Sequence, residues 1–334
     1  MSGSANEILM AIIREEAGQI DAAMQADIDG LAVRVDQLLV DVLRYSLFNG
    51  GKRIRPLLAV LAARLCGRDD PEIYQLARAF EYLHAATLMH DDVIDNADTR
   101  RGRPSVHVRF GTVAAILAGD YLHARSMAIV GALAGSEALN VFSDATGRMV
   151  DGEFLQVRNA SCFNLSEEDY QRAILEKTGL LIAAACEVGA LWAGGTEEQR
   201  IALREYGLCL GSAFQVIDDL LDYQGKAAAT GKRVGNDLVE GKMTYPLIVT
   251  VKRAEKSDRE RLCQIIGDPA LRRIALDEVT GLIVKYDGFR MARKKAEDMA
   301  TAALEPLAIF SDLTIRREKM AMQGLVQHVL NREK

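Results

Sequence analysis

Two short acidic runs carry the first hint of chemistry. The stretch His84 to Arg103 reads HAATLMHDDVIDNADTRRGR and holds Asp91, Asp92 and Asp95 in the spacing DDxxD. The same spacing returns at Asp218, Asp219 and Asp222, in GSAFQVIDDLLD. On a helix, residues four apart are neighbours, so Asp91 and Asp95 share a face. Carboxylates stacked this closely repel one another and require a cation. Hard oxygen ligands without a cysteine or a histidine pair favour Mg2+ over zinc. With 25 aspartates in 334 residues, one such pattern arises by chance about 0.14 times per chain. A single copy is therefore only a hint, and a solvated acidic helix end or an N-terminal charge bias explains it as well. Two copies, each inside an apolar helical pattern, are hard to dismiss.

Cations accompany both runs. Arg100, Arg101 and Arg103 follow the first. Upstream, Lys52, Arg53 and Arg55 lie between the break Asn49-Gly50-Gly51 and Pro56, a helix entrance suited to an anion. Lys177-Thr178 interrupts an apolar helix, where an ammonium is costly unless an anion meets it. Gln215 is a second polar group in an apolar run. The segment Gly225 to Pro246 combines Gly225, Gly231, Gly235 and Gly241 with Lys226, Lys232, Arg233 and Lys242, and reads as a lid that closes over phosphate.

Together these residues predict facing acidic clusters at the mouth of an apolar shaft. Mg2+ on Asp91, Asp95 and Asp218 would grip a diphosphate. Arg100, Lys177, Lys232 and Lys242 would stabilise pyrophosphate as it departs. The allylic cation left behind would meet only weak dipoles, such as the Thr178 hydroxyl and the Gln215 amide. A second, metal-free diphosphate site from Lys52, Arg55, His84 and Arg101 would present the attacking alkene.

The elements that must position these groups read as helices. Apolar residues recur at helical spacing over residues 5–30, then at Val35, Leu38, Leu39, Val42 and Leu43. Pro71 opens a long helix into Asp91 and Asp95. Thr87, His84 and Phe80, which are four, seven and eleven residues before Asp91, lie near its aspartate face. Two more helices are expected at Val113–Ala134 and Ala138–Arg158. Ser166-Glu167-Glu168-Asp169 forms a capping box for the helix bearing Lys177. No strand-period segment, repeat or low-complexity tract is evident, so the fold class is all-α, a single domain over residues 1–334.

Composition excludes several classes. Hydrophobic residues make up 49%, ample for a core, and aromatics only 6%. A net charge of −6 argues against a general nucleic-acid binder. Cys66, Cys162, Cys186, Cys209 and Cys263 are odd in number and lack a CxxC pair, so they read as thiols of a reducing compartment. The N-terminus lacks a basic-then-apolar leader. The nearest transmembrane candidate, Thr178 to Gly195, is interrupted by Glu187 and reads as a core helix. A cytoplasmic protein is expected.

GGKRIRP at 50–56, DDVID with RRG at 91–102, Lys177-Thr178, FQVIDDLLD at 214–222 and GKRVGNDLVEGK at 231–242 resemble, in order, the signatures of trans-isoprenyl diphosphate synthases, the polyprenyl synthetase family. The resemblance implies the all-α isoprenoid synthase fold, usually as a homodimer. It also implies head-to-tail addition of isopentenyl diphosphate to an allylic diphosphate such as farnesyl diphosphate, with Mg2+. It places Lys52, Arg55, His84 and Arg101 at isopentenyl diphosphate positions. Asp91, Asp92, Asp95, Asp218, Asp219 and Asp222 fall at metal positions, and Arg100, Lys177, Thr178, Gln215, Lys232 and Lys242 at allylic positions. Released pyrophosphate would take the proton that ends each cycle. The C-terminus, Asn331-Arg332-Glu333-Lys334, departs from the more basic tails of some members.

Short-chain members place bulky aromatics four or five residues before the first aspartate. Thr87 and Ala86 stand there in this chain, so the wall they form with Leu83 is open and a long, octaprenyl-type product is expected. Phe80, about 16 Å further along the helix at 1.5 Å per residue, is the next candidate floor and would give a geranylgeranyl-type product. Product release would involve transient membrane contact. A class I terpene cyclase and an inactive regulatory subunit are the alternatives from other classes.

Overall fold

The computed structural model describes residues 3–161, 164–224 and 234–332. They are almost entirely helical. The exception is a hairpin of two-residue strands, β1 (Thr99–Arg100) and β2 (Arg103–Pro104), with Arg100 opposite Arg103. Its turn residues Arg101 and Gly102 have φ of 52° and 75°, both left-handed as a type I′ turn demands. Strands this short leave no alternation to read.

Backbone contacts group the chain into two compact units. The first comprises Met1–Asp144, Ala184–Arg204 and Leu307–Leu325. It contains α1 (Gly3–Leu31), α2 (Gln37–Leu47), α3 (Ile54–Leu65) and α4 (Ile73–Ile94). The Asp36 carboxylate accepts from Leu38 N–H at 2.8 Å and caps α2. Pro71 and Glu72 form a turn, and α4 is regular only from Ile73. Helix α3 is buried at every residue from Pro56 to Ala63, which is why its sequence is apolar all round. Gly189 fits beside it closely: a Cβ there would lie 2.3 Å from the Ala59 carbonyl oxygen. Helix α5 (Val106–Phe110) follows the hairpin, and α6 (Thr112–Ser161) breaks at Gly135, where φ is 80°. The two-helix reading of this stretch therefore holds. Among the described residues, Thr112–Ala160 is long and apolar enough to cross a membrane; Thr178–Gly195, the segment singled out by sequence, is not.

The second unit comprises Ala145–Ala183, Glu205–Pro306 and Val326–Lys334. Helix α7 (Glu167–Ile174) is capped by Ser166, whose Oγ accepts from Asp169 N–H at 3.2 Å. The return bond of the expected capping box is absent; the Ser166 N–H donates to Asn164 Oδ1 at 2.9 Å instead. A π turn, Leu175–Gly179, leads into α8 (Leu180–Trp192), and α9 (Glu197–Gln224) runs on to the second acidic run. Gly211 of α9 would place a Cβ 2.7 Å from Gly179 Cα, so only small residues allow that crossing. Helices Tyr245–Arg253 and Gly288–Ala302 pack on one another through the rest of the unit.

Candidate active site

The first aspartate set stands at the unfavourable end of its helix. Asp91 and Asp92 lie in the last turn of α4 and Asp95 is its C-cap, with the Asp95 N–H donating to the Asp91 carbonyl at 2.8 Å. A helix C-terminus carries partial negative charge, so acids there lose stability unless a cation answers them. Asp218, Asp219 and Asp222 repeat this near the end of α9. The Asp222 carbonyl accepts from Gly235 N–H at 2.8 Å. An N-terminal charge bias therefore explains neither copy. Among the described residues, no three acidic, histidine or cysteine side chains converge closely enough to cage an ion alone. Such a donor set fits a hard cation that takes one or two carboxylates and completes its shell with phosphate oxygens.

Asp92 differs from its neighbours: it is buried, and it accepts from Arg100 Nε at 2.9 Å. It thus anchors the arginine expected on the allylic diphosphate.

Around His84, within the first unit, basic residues gather. Arg53 is left-handed (φ 52°) at the N-cap of α3 and only 4% exposed. Its guanidinium donates to Glu81 Oε1 at 2.6 Å, Asp21 Oδ1 at 2.8 Å and the Leu47 carbonyl at 2.7 Å. This pairing makes Arg53 a strut tying the Gly-Gly loop to α1, α2 and α4. Lys52 precedes it and Arg55 follows two residues later. Arg101 donates to the Gly50 carbonyl, and a Cβ on Gly51 would meet Arg53 Nη1 at 3.1 Å and Arg101 Nη1 at 3.2 Å. Gly51 itself has a φ of 146°, a backbone conformation that favours glycine.

Arg55 Nε is buried without a hydrogen-bond partner. Burial pulls its pKa down, and the Glu81 carboxylate works the other way. Burial first, then Arg55, Arg101, Arg100 and Arg53, hold the His84 imidazole well below its usual pKa, so it is neutral at pH 7. A buried donor without a partner is costly. This cluster is built to receive an anion. Arg100 and Arg101 also line a small open cleft with Asn49, Asp92, Leu88 and Met89.

The wall residues Phe80, Leu83 and Ala86 are all buried on α4. The Phe80 ring packs edge-on against Phe142, with centroids 5.2 Å apart at 72°. The Thr87 hydroxyl donates to the His84 carbonyl at 2.9 Å.

In the second unit, four polar side chains form a relay. Thr178 Oγ1 donates to Gln215 Oε1 at 2.9 Å, and Gln215 Nε2 donates to Asp219 Oδ1 at 3.1 Å. The Tyr170 hydroxyl donates to Asp219 Oδ2 at 2.7 Å. Thr178 and Lys177 sit in the π turn, whose extra residue re-aims side chains relative to α7. Gly152 permits that turn, since a Cβ there would lie 2.9 Å from Lys177 N. Lys177 Nζ meets Glu153 at 2.7 Å and Gln156 at 2.9 Å, so Glu153 supplies the anion that an ammonium at this position requires.

Burial first, then Asp237, raise the pKa of both Asp219 and Asp222. Asp237 N–H donates to Asp222 Oδ2 at 3.0 Å, and Lys242 approaches Asp237 at 3.3 Å and also pairs with Glu240. Carboxylates whose charge is resisted in this way favour a neighbouring positive charge. Asp218 pairs with Arg332 at 3.2 Å, and the Arg332 guanidinium lies 4.0 Å over the Phe214 ring. The C-terminal segment thus reaches the second acidic set. Lys232, together with Lys226, Arg233 and Cys162, lies outside the described residues.

Residues 36–281, which include both acidic runs, match the family model described as polyprenyl synthetase. The chain belongs to the polyprenyl synthetase family. It is 38% identical to an octaprenyl diphosphate synthase of Haemophilus influenzae, over 84% of this chain and 85% of that one. It is 35% identical to a short chain isoprenyl diphosphate synthase of Methanothermobacter thermautotrophicus, over 93% and 99%. Among solved structures, a polyprenyl synthase from Caulobacter crescentus, complexed with calcium and isoprenyl diphosphate, aligns with a TM-score of 0.87 at 33% identity over 98% of both chains. The all-α polyprenyl synthetase fold is the one the sequence motifs implied.

Several residues of this polyprenyl synthetase site escaped motif reading. Glu81 sits three residues before His84 on α4, and Asp237 lies within the GNDLVEGK run; both signals were available. Tyr170, Glu153, Phe142 and Arg332 gave none, because only tertiary contact brings them to their partners.

Proposed function

We propose that this chain is a prenyltransferase that adds isopentenyl diphosphate head to tail to an allylic diphosphate such as farnesyl diphosphate. The product is a long-chain, octaprenyl-type all-trans polyprenyl diphosphate. One observation carries the reading. A metal-free basic cluster, with Arg55 Nε unpartnered beside a neutral His84, exists in a chain that also holds two cation-seeking carboxylate sets. That equips one protein to bind diphosphate in two chemically different ways. A cyclase, which acts on one diphosphate, has no use for the first.

Asp91, Asp95, Asp218, Asp219 and Asp222 would hold magnesium. When bound, Mg2+ supplies positive charge to the departing pyrophosphate. Arg100, Lys177, Lys232 and Lys242 bind the allylic diphosphate from the protein side. The Thr178 hydroxyl and Gln215 amide stabilise the cation without capturing it. Lys52, Arg55 and Arg101 bind isopentenyl diphosphate, and His84, being neutral, donates a hydrogen bond without adding charge. The released pyrophosphate accepts the final proton.

Similarity to the Haemophilus influenzae octaprenyl diphosphate synthase supports the long product, and Ala86 and Thr87 leave the upper wall open. The Phe80–Phe142 pair favours a second, geranylgeranyl-type reading, because it blocks the line of α4 lower down. We assign the exposed apolar residues of α6, Val113, Leu117, Val150, Phe154 and Val157, to a second copy in a homodimer. The four described cysteines are free, which fits the cytoplasm. Purified protein incubated with isopentenyl and farnesyl diphosphates and Mg2+ tests the whole reading by product size. Turnover of the allylic substrate alone to a cyclic product, or no turnover at all, would refute it.

A further inference from the structure

Tyr170 binds no substrate in that reading, yet it starts the hydrogen-bond relay that ends at Thr178. We propose that Tyr170 is a positioning residue: through Asp219 and Gln215 it sets the direction of the Thr178 hydroxyl, so that oxygen lone pairs face the allylic cation. The inference rests on the function proposed above.

The direction of the relay follows from donor and acceptor chemistry. An ordinary phenol keeps its proton at neutral pH, and the Tyr170 hydroxyl lies 2.7 Å from Asp219 Oδ2, to which it donates. Both Asp219 oxygens accept, Oδ2 from Tyr170 and Oδ1 from Gln215 Nε2, so the Gln215 amide turns its NH2 toward Asp219. Its carbonyl then faces Thr178, and the Thr178 hydroxyl must donate to it. A hydroxyl with its proton committed offers lone pairs in its other directions. With the amide flipped, Thr178 would accept, and its proton would point at the cation. A single orientation choice at Asp219 thus decides whether Thr178 stabilises or repels positive charge.

Tyr170 is placed to hold that choice. Its ring packs 5.5 Å from the Tyr245 ring, and the capped helix α7 carries it. Asp219 is 5% exposed, so solvent offers little replacement for the phenol. Without it, the carboxylate is free to turn away from Gln215 Nε2, and the amide loses the acceptor that fixes its direction.

The test is a double-mutant cycle in the full chain. Tyr170→Phe keeps the ring and its packing, and should lower kcat about tenfold, the rate equivalent of one ordinary hydrogen bond, with both KM values nearly unchanged. In a Thr178→Val background the same change should alter kcat by less than about twofold, because the group it acts through is gone. A 2-fluoro allylic substrate, whose cation is harder to form, should be slowed more in Tyr170→Phe than in wild type. Should Tyr170→Phe fail to fold, Gln215→Met breaks the relay one link on, and its loss, part of which is Gln215's own, must be smaller in a Thr178→Val background than in wild type. Additive losses in an active enzyme, or a wild-type kcat for Tyr170→Phe, overturn this inference alone. A wild-type chain without prenyl transfer overturns the functional reading and this inference with it.

Discussion

Replacing Phe80 by Ala should lengthen the product, and the structure sets what else that change does. The ring is fully enclosed and meets Phe142 edge-on at 5.2 Å. It stands eleven residues before Asp91, about 16 Å along α4 at 1.5 Å per residue. A chain growing down that helix past Ala86 and Thr87 passes Leu83 and His84 before it meets this ring. Removing a buried phenyl ring costs about 3–5 kcal/mol, of which about 1 kcal/mol belongs to the aromatic pair itself. Each kcal/mol lowers Tm by about 2–4 °C in a protein of this size class, so the variant should be assayed well below its melting point. Wild type and variant would be incubated with farnesyl and isopentenyl diphosphates and Mg2+, and the products dephosphorylated and sized. Phe80→Ala should shift the ladder to longer chains, Phe142→Ala should shift it the same way, and Phe80→Leu should shift it less. A folded, active Phe80→Ala enzyme with the wild-type ladder would show that the pair is ordinary core packing and sets no length.

Three further outcomes follow from the charge distribution. Arg55→Gln should weaken isopentenyl diphosphate binding by about tenfold or more, the loss of a charge-assisted bond, yet leave Tm unchanged or raised, since it removes a buried cation with an unpartnered Nε; binding and thermal-shift assays on one preparation read both. The native His84 pKa is depressed, so as pH falls through about 6.5 the unfolded chain takes up a proton that the native chain refuses, and stability drops; pyrophosphate beside it reverses this, so binding near pH 6 should consume protons, seen as a buffer-dependent heat in calorimetry, and His84→Gln should abolish that uptake. Asp219 and Asp222 have raised native pKa values, so metal-free protein should lose stability as pH rises above about 4 toward neutrality, and Mg2+ with pyrophosphate should raise Tm more at pH 8 than at pH 6, where protons compete; an equal shift at both pH values would remove the carboxylates from the metal site.

What was legible in the sequence is what is local. Helical periodicity, the Gly50-Gly51 break, the capping Ser166 and the two DDxxD runs each lie within a few residues, and chain geometry over that range is nearly context-free. The π turn at Leu175–Gly179 was invisible because the helix that follows, LLIAAACEVGALW, is apolar on nearly every side, so the rotation of its face by one extra residue leaves no break in the pattern. Partnerships over distance were equally hidden: Arg53 finds Glu81 28 positions away, Tyr170 finds Asp219 49 away, and Arg332 finds Asp218 114 away. The basic loop shows the consequence most sharply. Arg53 and Arg55 are the same residue type, two positions apart in one motif, and by composition either could hold a phosphate. Three partners claim the Arg53 guanidinium, whereas Arg55 Nε is buried and unanswered. Carboxylates that meet a buried guanidinium make it a strut, and Arg55, whose Nε none meets, is the one proposed above for diphosphate. The difference between scaffold and site in this protein is therefore one of partners, and Glu81, which serves both arginines, is the residue on which that difference turns.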